Sequence, residues 1–105
     1  MIDDHAICLD LNSPVFQEAL FSLQKAERLA VLDTLRKLRR ITWRQLYADR
    51  GLRWEKISSV KPPKGISTLY SMRVTKTCRA TAFRDGEMLR FLTIYSDHDA
   101  AYGKK

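Results

Sequence analysis

Cysteine is scarce in this sequence, with Cys8 and Cys78 far apart and no CxxC or Cys/His ligand spacing around either. A disulfide framework and a zinc site are therefore not expected, and the two residues read as free thiols. Glycine and proline are also few, 4 and 3 in 105 residues, and no low-complexity stretch or internal repeat occurs. With 45% hydrophobic residues, the composition is that of a folded globule rather than a disordered chain. Long apolar runs are missing as well: none approaches the ~20 residues that span a bilayer. The start Met1, Ile2, Asp3, Asp4 is acidic where a signal peptide is basic. The sequence thus predicts a cytoplasmic chain with no membrane association. Its length suits one domain, residues 1–105.

What is abundant is positive charge. Lys and Arg number 19 against 12 Asp and Glu, a formal net charge of +7, which makes a polyanion the default partner. Residues 1–52 hold 8 basic and 7 acidic side chains, whereas residues 53–105 hold 11 basic and 5 acidic. The excess sits in the C-terminal half. A solvated basic surface without function is the competing reading of charge taken alone.

The two halves also differ in hydrophobic period. Ser13 stands as an N-cap before Pro14, and Val15, Phe16, Ala19, Leu20 and Leu23 follow at helical spacing, which predicts a helix over 14–24. Leu29, Leu32, Leu35 and Leu38 predict a second over 25–40, with cations loaded toward its C-terminus, and the short joint predicts an antiparallel pair. Thr42 caps a further short helix through Trp43, Leu46 and Tyr47, ending near Gly51. From Trp54 onward four strands are expected: 54–60, 69–75, 78–84 and 87–95. Tyr70, Met72 and Val74 alternate with Ser71, Arg73 and Thr75, giving one apolar and one polar face. Asp85–Gly86 predicts a two-residue type I′ hairpin, Thr75–Thr77 a second tight joint, and Lys61–Gly65 a loop. The expected architecture is an α+β domain in which an N-terminal antiparallel helix pair covers a C-terminal antiparallel sheet of about four strands. Such a sheet keeps its other face free for ligands.

Basic and aromatic side chains interleave on these strands. Arg73, Lys76, Arg79 and Arg84 accompany Tyr70 and Phe83, and His98 follows in Ser96, Asp97, His98, Asp99. From the residues alone, Arg73 and Arg79 are equally open to a cross-strand role beside Asp or Glu, Glu55 to an ion pair with Arg53, and His98 to a solvated tail. Trp43 and Trp54 are assigned to packing.

The run Tyr70 to Lys76, then Arg79, Ala80, the Asp85–Gly86 hairpin, the apolar strand Leu89 to Tyr95 and the terminal Asp97, His98, Asp99 resembles the C-terminal sheet of RelE/ParE-superfamily toxins. These are the toxin halves of bacterial type II toxin-antitoxin pairs. The resemblance implies a metal-independent ribonuclease, without cofactor, that cuts mRNA on the ribosome. By the same resemblance Arg73 and Arg79 correspond to the sheet arginines, His98 to the general acid and Glu55 to the general base. In such chemistry the base takes the proton of the 2′-hydroxyl, the arginines stabilise the in-line phosphorane, and the acid protonates the departing 5′ oxygen. Histidine suits the last role because its ordinary pKa lies near operating pH. Lys56, Lys61, Lys64, Lys76 and Arg84 are expected on flanking phosphates, and Tyr95 or Tyr102 under a stacked base. A cognate antitoxin is implied, alongside mRNA and the ribosome as targets. The alternative within the superfamily is the ParE branch, which poisons DNA gyrase without nuclease activity. A helix-turn-helix over Thr42 to Lys56 is disfavoured, because its second helix runs into the strand pattern from Trp54.

Overall fold

The computed structural model describes residues 4–96. It orders the elements as β1 (Cys8–Asp10), α1 (Pro14–Ser22), α2 (Lys25–Leu38), α3 (Trp43–Ala48), β2 (Glu55–Ile57), β3 (Leu69–Arg73), β4 (Cys78–Asp85) and β5 (Met88–Ser96). The chain is an α+β fold with three helices and one five-stranded sheet in the order β1-β5-β4-β3-β2. The four C-terminal strands pair antiparallel, as the alternation predicts, while β1 joins β5 in parallel. That parallel edge strand makes the sheet mixed, a correction to the antiparallel sheet expected from sequence. Three residues are too few to show an alternating pattern, and Cys8 is held in place by its backbone N–H donating to the Glu87 carbonyl at 3.0 Å.

The helix starts follow from local chemistry. Ser13 Oγ accepts the Phe16 N–H at 3.2 Å, and Pro14 opens α1, where a missing N–H costs nothing. Thr42 and Gln45 form a reciprocal capping box at the start of α3: Thr42 Oγ1 accepts the Gln45 N–H and Gln45 Oε1 accepts the Thr42 N–H. α1 packs chiefly on β5 and touches α2 only slightly, so the sheet rather than a helix-helix interface organises the N-terminal half. Phe16 meets Phe91 with ring centroids 5.1 Å apart, and Leu20, Val31, Leu35, Leu38, Trp43 and Leu46 complete the helical side of the core.

The sheet's inner face supplies Met72, Val74, Cys78, Ala80, Ala82, Leu89, Phe91 and Ile94, all buried. On β5 the spacing from Phe91 to Ile94 breaks strict alternation. The register explains it: Thr81 pairs with Thr93 but Ala82 with Phe91, so Leu92 is an extra residue, and Ser13 Oγ donates to its carbonyl at 3.0 Å. The hairpin is also displaced by one residue from the sequence expectation. β4 runs through Asp85, β5 begins at Met88, and the turn is Gly86–Glu87. Gly86 has φ +64° while Asp85 and Glu87 stay negative, the pattern of a II′ turn with glycine at its first central position rather than of I′. At the other end of β4, Thr75 Oγ1 accepts the N–H groups of Thr77 and Cys78 and closes the tight joint to β3. Burial, and then the neighbouring Glu27 carboxylate that accepts the thiol proton, push the Cys78 thiol above its ordinary range, which keeps it protonated within the core. No helix among the described residues is long and apolar enough to cross a membrane.

Candidate nucleic-acid interface

With Met72, Ala80 and Ala82 facing inward, strand alternation sends Ser71, Arg73, Arg79 and Thr81 to the outer face of the sheet, on which no helix packs among the described residues. The register turns this into rows. Glu55 stands opposite Ser71, Ser71 opposite Thr81, and Thr81 opposite Thr93, so one row runs from a carboxylate across three hydroxyls. In the next row Arg73 stands opposite Arg79 and Arg79 opposite Tyr95. Two arginines thus face each other directly across β3 and β4, a placement that costs stability in an ordinary sheet because like charges at ~4.5 to 5.5 Å Cβ separation repel. The Nε of Arg73 is buried and has no hydrogen-bond partner among the described residues. Guanidinium groups are planar, permanently charged forks, whose donor geometry matches carboxylate and phosphate oxygens.

Beside this pair the outer face forms a groove of about 990 Å³, bounded by β2 and Ser58–Val60 on one side and by Thr93 and Tyr95 on the other. Leu69 lies in its floor. Only 5% exposed, it stands apart from the main core, on the outer side of the sheet. Glu55 and Arg79 both line the groove. Glu55 is diagonal to Arg73 across β2 and β3, a relation that sets Cβ atoms ~7 to 8 Å apart. Its carboxylate lies 3.7 Å from Arg53 Nη2, the ion pair left open by the sequence. Both partners are about half exposed, so the pair is worth little and yields readily to a ligand. Arg53 itself carries φ +50°, an uncommon conformation for a non-glycine residue, and its strand ladder ends there as the Arg73 N–H donates to the Leu52 carbonyl at 2.7 Å.

The remaining sequence candidates fall in different places. Lys76 is exposed in the β3–β4 turn beside the arginine row, and Lys61 and Lys64 are exposed in the long loop before β3. Lys56 alternates with Glu55 at the β2 edge, opposite Tyr70, and is among the residues that line the groove. Arg84 is displaced from the expected phosphate-binding face: strand alternation turns it inward, its guanidinium lies 4.2 Å from the centroid of Trp43, and Nη1 donates to the Tyr47 hydroxyl at 2.7 Å. His98 and Tyr102 lie outside the described residues. The row of Ser71, Thr81 and Thr93 was not singled out by sequence; its signal is the parity of each strand relative to its buried neighbours. Among the described residues no cluster of three or more His, Cys, Asp or Glu side chains is arranged to hold a metal ion.

Comparison with protein-family models, with curated proteins and with solved structures finds no match to this chain.

Proposed function

We propose that the outer sheet face binds single-stranded RNA and that the chain is a metal-independent, ribosome-dependent mRNA endoribonuclease, the toxin member of a toxin-antitoxin pair. The observation that carries this reading is the Arg73–Arg79 pair, two permanently charged forks held opposite one another at the edge of an open groove that also receives Glu55. Two forks so placed match the oxygens of a phosphate, and most strongly the extra charge of an in-line transition state. In the proposed reaction Glu55, released from Arg53, accepts the proton of the 2′-hydroxyl, whose oxygen attacks the adjacent phosphorus. Arg73 and Arg79 compensate the phosphorane charge. His98 donates a proton to the departing 5′ oxygen, leaving a 2′,3′-cyclic phosphate. The antitoxin is proposed to cover either the basic outer face with an acidic element or the helices where Phe21, Leu29 and Leu32 are exposed.

The test is induced expression of the wild type beside Arg73→Ala and His98→Ala, with translated mRNAs mapped by primer extension. The expected result is cuts inside translated codons with wild type, reduced at least ~100-fold by either substitution. Cuts that persist in both variants refute the assigned roles. Growth arrest without cuts, accompanied by trapped DNA-gyrase cleavage complexes, replaces the nuclease by the ParE-like reading.

A further inference from the structure

A second recess of about 530 Å³ opens between residues 65–68 and the β4–β5 hairpin. Its walls are unusually aromatic for a surface hollow: Tyr47, Trp54, Tyr70 and Phe83 all line it. These rings are braced from behind. Trp54 stacks on Tyr70 with centroids 4.5 Å apart and 13° between planes, and the buried Trp43 meets Trp54 edge-on and Tyr47 at a tilt. Arg84 locks the remaining freedom, donating from Nη1 to the Tyr47 hydroxyl and from Nε to the Gly86 carbonyl while standing over Trp43. Tyr47 is nonetheless 49% exposed. A rigid, half-exposed ring is a surface on which a planar ligand stacks at small entropic cost.

The recess wraps the end of the sheet: Tyr70, opposite inward-facing Ala82, lines it from the helical side together with Tyr47 and Arg84, and Phe83 lines it from the outer side. Ala82 is buried inward, so Phe83 is directed outward on the strand that carries Arg79, four residues or ~13 Å further along. Exposed Lys64 adjoins the recess, and Asp85, the acidic residue among its described lining, is held by Arg90 Nε at 3.0 Å. Aromatic rings, a neighbouring cation and an outward ring, Phe83, on the strand that carries Arg79 together favour a nucleobase of the same strand over an aliphatic or cationic ligand.

We propose that this recess is a second base-stacking site, which takes an unpaired base of the RNA strand a few nucleotides away from the phosphate held by Arg73 and Arg79. The inference rests on the RNA-binding reading of the outer face. It is tested by measuring the affinity of the full chain for labelled oligouridylates of three and ten nucleotides, with Tyr47→Ala and Tyr47→Phe beside the wild type. The ten-mer is expected to bind wild type at least 10-fold more tightly than the trimer. Tyr47→Ala removes most of that gain, a loss of about 5- to 150-fold for one stacked base, and leaves the trimer unchanged; Tyr47→Phe, which keeps the ring, retains the gain. Equal loss for both lengths, or none for the ten-mer, overturns the second site. If the trimer binds and Arg73→Ala weakens it while the ten-mer gains nothing, this inference falls and the outer-face reading stands. If neither oligonucleotide binds the wild type, both fall.

Discussion

Arg73 is the residue on which the functional reading is most exposed to test. Its backbone is tied to Leu52 and its side chain faces Arg79, so charge at this position does nothing evident for folding. Replacing Arg73 by methionine keeps the apolar stem and removes the repulsion. The expected outcome is a folding stability unchanged or raised by up to about 1 kcal/mol in denaturant unfolding, together with loss of RNA binding. A stability loss above that size shows instead that the guanidinium is a structural partner. Glu55 shows the limit of single residues in a sequence: its ion pair with Arg53 and its diagonal relation to Arg73 both exist, and neither contradicts the other, since a half-exposed pair at 3.7 Å is readily exchanged.

At the scale of elements, α2 and α3 are joined to the loop before β2 through Asp49. Its Oδ2 accepts from Lys37 Nζ at 2.7 Å and its Oδ1 from the Leu52 N–H at 3.1 Å. The Lys37 bond is the main reason its carboxyl is held below the ordinary 3.8. A carboxyl depressed in the folded state contributes stability that is present above its unfolded value and is lost as pH falls through the folded one. Asp49→Asn is therefore expected to cost about 1 kcal/mol at neutral pH and to flatten the decline in unfolding free energy below about pH 4, measured by urea denaturation across pH. An unchanged acid limb refutes this role. Elements were legible where a local signal coincided with burial. Ser13–Pro14 and the Thr42 cap mark two helix starts, and the alternation of Tyr70, Met72 and Val74 marks the inward face, on which Met72 and Val74 are buried. The parallel strand β1 was not legible, because its partner β5 lies about 80 residues away and three residues carry no period. The Asp-Gly pair signals a I′ turn one residue before the observed one, because cross-strand pairing of Asp85 with Met88 lets Gly86 satisfy the turn alone. The charge of Arg84 points to solvent, whereas strand parity and the Trp43 ring turn it inward.

For the whole molecule, the division between halves of the sequence becomes a division between faces of one sheet. The helices of the nearly neutral half cover the inner face and supply half of the largest fully buried side chains, Phe16, Leu38, Trp43 and Leu46 among them. The more basic half supplies the strands, and by alternation its arginine pair comes to the face without helices. The candidate site was partly legible for this reason: Arg73 and Arg79 were recognisable as residues, and their pairing needed only the tight Thr75–Thr77 joint to set the register. The groove beside them was not legible, since it depends on the course of the loop from Ser58 to Thr68 over Leu69. The central claim, that this face holds the RNA backbone through its arginine pair, is tested most directly by the salt dependence of oligouridylate affinity. For a single strand the logarithm of affinity falls with the logarithm of salt by ~0.7 per phosphate neutralised, so the double substitution Arg73→Met/Arg79→Met, which releases the one phosphate held between the two forks, is predicted to reduce the slope by about 0.7. An unchanged slope in that variant, or wild-type binding that does not depend on salt, contradicts the account.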